Sequence, residues 1–175
     1  MYGLSTLWEK NRSGGRGESV FLSGGRLRLA LCTLVGSGTL ESRKSFVFWA
    51  GAPGSELYGT ILYNPSGPSL GFSDAACYPE ALHSILYRQG ETTVRLPGRT
   101  EPLRYRPDGR DPGFGDAKAG DYRLNEGAPL FGNVPFRLED WLGDDAALAQ
   151  ELRGPDAGGS FRPYFGITHG GAYGP

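Results

Sequence analysis

Residues 19 to 35, SVFLSGGRLRLALCTLV, alternate with a period of two. Leu27, Leu29, Leu31, Thr33 and Val35 fall on one side of an extended chain, and Arg26, Arg28, Ala30, Cys32 and Leu34 on the other. A helix places every third or fourth residue on one face, so this pattern demands a strand. Gly24-Gly25 before it has the composition of a hairpin turn. Both faces become apolar toward Leu34, which predicts cover on both sides of that end.

The rest of the chain follows the same rhythm. SFVFWAG (45 to 51) and LYGTILYN (57 to 64) are short apolar runs closed by glycine and proline, and both predict strands. TTVRLP (92 to 97), LRYR (103 to 106), DYRL (121 to 124), VPFRL (134 to 138) and SFRPYFGIT (160 to 168) are weaker candidates. Turn signals recur roughly every 8 to 15 residues, as in a β-sandwich or barrel. The expected fold is therefore all-β, a single antiparallel β-sandwich or barrel over residues 1 to 175, jelly-roll-like, with two short helices in its connections. YPEALHSILYRQG (78 to 90) predicts the first helix, with Leu82, Ile85 and Leu86 on one stripe and Gly90 as the stop. GDDAALAQELRGP (143 to 155) predicts the second, with Asp144 as cap and Ala147, Leu148 and Leu152 inward. Neither helix alternates with strands in a βαβ rhythm. Residues 106 to 121 form a long polar insertion, the N-terminal segment to about residue 18 and the glycine-rich tail from about 169 to 175 are expected to be loose, and no internal repeat stands out.

Composition narrows the function. The 175 residues carry 18 basic and 19 acidic side chains along their whole length, which removes any broad field for nucleic acid or an anionic membrane. Arginine outnumbers lysine 15 to 3, as GC-rich coding or selection against thermolabile side chains would produce. The first residues lack the basic start and apolar core of a signal peptide, and no apolar run approaches the length of a membrane helix. Cys32 and Cys77 allow one disulfide, but a small buried thiol is the favoured reading.

Candidate chemical motifs fail on mechanism. GTLESRKS (38 to 45) nearly matches a phosphate-binding loop, yet Arg43 stands where the second glycine must let the backbone curl, and a strand follows Ser45 instead of a helix. Lys44 is thus expected in solvent, in a connection between strands. GPSLG (67 to 71) fits a nucleophile elbow around Ser69, with His169 or His83 as partner, but Pro65 and Pro68 make a loop where the elbow needs a helix. A serine hydrolase using Ser69 is the least favoured function. Cys32, Cys77, His83 and His169 lack zinc spacing, and Asp108, Asp111, Asp116 and Asp121 do not match a calcium loop. Glu139-Asp140 and Asp144-Asp145 are carboxylate pairs, the latter explained by helix capping, and the sequon at Asn11 matters only on export. No catalytic, cofactor or metal residue emerges, and no cofactor is expected.

Aromatics are more informative. Trp8, Trp49 and Trp141, with nine Tyr and nine Phe, exceed the needs of a small core, and such surfaces serve subunit contacts or sugar stacking. A strand such as RLRLALCTLV, proline-rich connections, glycine-rich terminal segments and Arg-rich, Cys-poor composition together resemble the small single-jelly-roll major capsid proteins of tailless, membrane-containing phages of thermophilic bacteria. That resemblance implies a thermostable, non-enzymatic virion protein, made in the host cytoplasm, that self-assembles into an icosahedral shell. It also implies a homo-oligomer, such as a strand-exchanged dimer, joined to a second, larger coat protein near an internal membrane, without sequence-specific nucleic-acid binding. The alternative expectation is a carbohydrate- or ligand-binding β-sandwich, with Trp49, Trp141 or tyrosines as the stacking platform.

Overall fold

The computed structural model describes residues 2–9, 20–36, 47–49, 54–65, 70–72, 79–87, 111–143, 147, 149–150, 153, 155–160 and 166–173. The chain is mostly β, as expected, but its principal sheets are parallel. One stack consists of β1 (Tyr2–Leu4), β4 (Arg28–Ala30), β7 (Glu56–Tyr58) and β10 (Glu80–Leu82), paired in that order. A second consists of β2 (Leu7–Trp8), β5 (Thr33–Val35), β8 (Ile61–Tyr63) and β11 (Ile85–Leu86). A third joins β3 (Val20–Leu22), β6 (Val47–Trp49) and β9 (Leu70–Phe72). The chain visits the three stacks in turn and returns to the first one rung further on, which is a parallel β-solenoid instead of an antiparallel sandwich.

The repeat behind this coil is short and sits at one corner. Ser5, Leu31, Gly59 and His83, each between a strand of the first stack and one of the second, share a left-handed backbone with φ of 47°, 53°, 54° and 48°. The next residue in each rung is Thr6, Cys32, Thr60 or Ser84, and each donates its side-chain hydrogen to the carbonyl two residues earlier, at 2.9, 3.2, 3.1 and 2.9 Å. The corner hydroxyls also link rungs: Cys32 N–H donates to Thr60 Oγ1 and Thr60 N–H to Ser84 Oγ. A left-handed corner in an L-residue costs roughly 1–2 kcal/mol, and these repeated bonds offset it. The corner also corrects the period-two reading, because the face inverts there: Leu29, Cys32 and Leu34 point into the coil while Ala30, Leu31 and Ile61 point outward.

Two cores follow from this inversion. Inside the coil, Val20, Leu27, Leu29, Cys32, Leu34, Leu57, Leu62, Ala81 and Leu86 pack in register, and Cys32 is fully buried among them. Outside it, Leu4, Ala30, Leu31, Ile61 and Ile85 are covered by Leu130, Val134, Phe136, Leu138, Trp141 and Leu142. The C-terminal half is thus a second layer laid on the solenoid, and the predicted two-sided cover of the Leu34 strand is met by the coil interior and this layer.

The segment predicted as the first helix is instead β10 and β11, because Glu80–Leu82 and Ile85–Leu86 continue the two stacks and the ladder outweighs local helix spacing. The helix of the second layer, α1 (Leu138–Leu142), precedes the predicted one. Helical residues recur at 147, 149 and 150, where Ala149 is buried and Ala147, expected inward, is exposed; the cap Asp144 lies outside the described residues. Gly24-Gly25 joins two different stacks and is not a hairpin. Residues 2 to 8 are rungs of the coil, and Gly170, Gly171 and Ala172 are tied down through Leu130 O, Gly59 O and Thr33 Oγ1, so neither segment is a loose arm where it is described.

Two antiparallel pairs complete the second layer: β12 (Phe114–Asp116) with β13 (Asp121–Leu124), and β14 (Val134–Pro135) with β15 (Ile167–Thr168). In the first hairpin Arg123 holds Asp121 through Nε at 2.8 Å and Nη2 at 2.7 Å. These bonds, with the Arg123 N–H, lower the Asp121 pKa from 3.8 to about 2. The folded value lies below the unfolded one, so this contribution is complete above the unfolded pKa and disappears as the pH falls through about 2. A carboxyl NMR titration should place the Asp121 midpoint near the lower value and Arg123→Ala should return it toward 3.8; a wild-type midpoint already at the ordinary value would mean the fork does not form.

Candidate functional site

A groove of about 620 Å³ lies where the first stack meets the second layer. Its floor is the outward ladder Arg28, Glu56 and Glu80, which the parallel register places side by side on consecutive rungs. Neighbouring strands stand about 4.8 Å apart, so three charged groups lie in a row. Arg28 donates to Glu56 through Nε at 3.0 Å and Nη2 at 2.9 Å. Its guanidinium also lies 5.0 Å from the Trp141 ring centroid and 5.6 Å from that of Tyr2, and Nη2 donates to the Trp141 carbonyl. One side chain therefore fixes the floor, the helix α1 and the first rung together.

The walls come from both layers. Tyr58 and Leu82, half-buried, rise from the solenoid, and the Tyr58 hydroxyl donates to the Pro135 carbonyl while its ring packs on Phe136 and His83. Opposite stand Arg137 and Asp140 on the helix side, paired at 3.7 Å and both exposed, and the ribbon residues Pro135, Gly166 and Ile167. Ile167 is 69 % exposed, the most exposed large hydrophobic among the described residues. Trp141 lines the groove with only 5 % of its surface exposed, and its indole N–H is buried with no acceptor among the described residues. An unsatisfied buried donor costs about 1–3 kcal/mol, which makes this a marked position.

The sequence candidates are distributed unevenly. Trp141 and Asp140 reach the groove, but the Arg28 guanidinium lies over the Trp141 ring, so that ring is not an open stacking face. Trp8 is half-buried and packs against the coil interior. His83 is exposed and packs against Tyr58, while His169 Nδ1 accepts from Gly132 N–H beside Phe131, in a different part of the molecule. Glu139 is engaged by Arg153, and its own backbone N–H, then Arg153, hold its carboxyl below the usual range. Asp111 and Asp116 close tight turns on Gly113, Lys118 and Ala119 N–H, and no group of three metal-ligating side chains occurs among the described residues. Ser69, Lys44, Arg43, Cys77, Asp108, Asp145, Asn11 and the Trp49 side chain lie outside the described residues.

Comparison with known proteins adds no relative. No family model, curated protein or solved structure matches the chain. Among the described residues no helix is long and apolar enough to cross a membrane. The groove residues that sequence reasoning passed over, Arg28, Glu56, Tyr58 and Glu80, share one signal. Each sits at a fixed offset before a corner, in the windows RLALCTL, ELYGTIL and EALHSIL, and aligning those windows stacks the ladder.

Proposed function

We propose that this chain is a non-catalytic binding module whose groove takes an oligosaccharide. The observation that carries the reading is the groove itself: a long polar floor of fixed guanidinium and carboxylate groups between apolar walls of Tyr58, Leu82 and Ile167. Sugars present hydroxyls in one direction and apolar C–H faces in the other, and a site with both surfaces answers both. The floor is the side-chain face of the first stack, so it offers a ligand side chains and not the backbone groups with which an extended peptide pairs.

A glycan screen tests this. At least one oligosaccharide should bind saturably, and Ile167→Ser, at an exposed rim position, should weaken it several-fold without altering the thermal midpoint. Failure of every glycan to bind, or binding indifferent to the rim substitution, would remove the groove reading.

A second reading is self-assembly of the kind a virion shell requires, with a second coat protein as further partner. It draws on β10 and β11, which end the two four-strand stacks among the described residues, since open strand edges invite pairing with another copy. Sedimentation over a range of concentrations separates the readings: assembly predicts a concentration-dependent oligomer, and a monomer throughout removes it.

A further inference from the structure

Taking the groove to be an oligosaccharide site, the geometry points to a cationic ligand, a sugar carrying a free ammonium group, held by Glu80. Five charged side chains line the groove, and four of them pair off: Arg28 with Glu56 at 2.9 Å and Arg137 with Asp140 at 3.7 Å. Glu80 is left. It is exposed, stands next to Glu56 in the ladder, and its carboxylate has no hydrogen-bond or ion-pair partner among the described residues. On the sheet face Arg28 offsets Glu56, and the next rung repeats a negative charge with no basic partner on that sheet face among the described residues. Like charges on adjacent strands disfavour each other, so a cation beside Glu80 relieves repulsion as well as forming a new charge-assisted bond.

Leu82, two residues on and on the same outward face, supplies an apolar neighbour at that end of the groove. An ammonium on a sugar ring meets both: the cation at Glu80 and the ring's C–H face at Leu82. A neutral sugar can donate a hydroxyl to the unpaired carboxylate but brings no compensating charge, and an anionic one is repelled by it.

The test is calorimetric titration of the full chain with three β-1,4-linked oligomers of equal length: glucosamine, N-acetylglucosamine and glucose. Tighter binding of the glucosamine oligomer by roughly tenfold, lost in Glu80→Gln, is the expected result. Glu80 makes no side-chain hydrogen bond or ion pair among the described residues and is exposed, so the variant should fold, and an unchanged thermal midpoint verifies it. Equal binding of all three oligomers, or a preference that survives Glu80→Gln, overturns the ammonium assignment and leaves the groove reading standing. No binding of any of the three overturns the assignment as well, and the broad glycan screen then decides the groove reading separately.

Discussion

Leu57→Ala should lower the unfolding free energy by about 3–4 kcal/mol, the middle of the range for truncating a fully buried leucine. Leu57 is 0 % exposed and occupies the middle of the coil, between Leu29 on one rung and Ala81 on the next. Ala81 is already small, so nothing on that side can fill the space left behind. In a solenoid each rung relies on its neighbours, and a cavity in a central rung weakens two interfaces at once. Leu82→Ala, at a half-buried outward position, should cost less than half as much. Urea titrations with unchanged m-values would measure both; a larger cost at Leu82 than at Leu57 would mean that the inward and outward faces have been exchanged.

Arg28→Met is the second large effect, expected at about 2–3 kcal/mol. The substitution keeps much of the stem's volume but removes the guanidinium that joins Glu56, the Trp141 carbonyl and the faces of Tyr2 and Trp141. It leaves the Glu56 carboxylate, only 19 % exposed, without its counter-charge. Because both partners of the ion pair retain some solvent contact, the cost falls below that of breaking a fully buried pair. The same variant should lose oligosaccharide binding, since the floor and the α1 wall are no longer held in one frame. A stability change within about 0.5 kcal/mol, the range for ordinary surface positions, would show that Arg28 does not bridge the layers.

How far the sequence revealed this molecule depends on the element. The strands at 28 to 35, 47 to 49 and 61 to 63 were legible because alternation and glycine-proline punctuation are local signals. Their pairing was not, since parallel partners lie 23 to 28 residues apart, as Val47 and Leu70 or Arg28 and Glu56 do, with loops of unequal length between them. Unequal loops also hid the repeat, whose constant part is only a corner: a left-handed residue, a small hydroxyl or thiol, then two residues that are apolar on every rung except for Thr33. In EALHSIL the apolar spacing suits a helix as well as a rung, and only the ladder to ELYGTIL decides it. The glycine tail shows the same limit. Gly171, at φ 77°, brings its N–H to Gly59 O so closely that an added Cβ would lie 2.7 Å from Thr33 Oγ1. That contact joins residues far apart in the chain, and composition alone suggested a loose end. Trp141 and Asp140 were noticed in the sequence as an aromatic and a carboxylate, but their place beside Arg28 and Glu80 exists only once the second layer has docked.

The claim that the groove is the binding site rests on one position that reports directly, the indole N–H of Trp141. Its signal in an amide and indole NMR spectrum, assigned with Trp141→Phe, should shift on titration with the oligosaccharide that binds best, together with the backbone signals of Tyr58, Glu80 and Ile167. Shifts confined to other parts of the molecule, with the Trp141 indole and the Glu80 rung unmoved at saturation, would contradict the account.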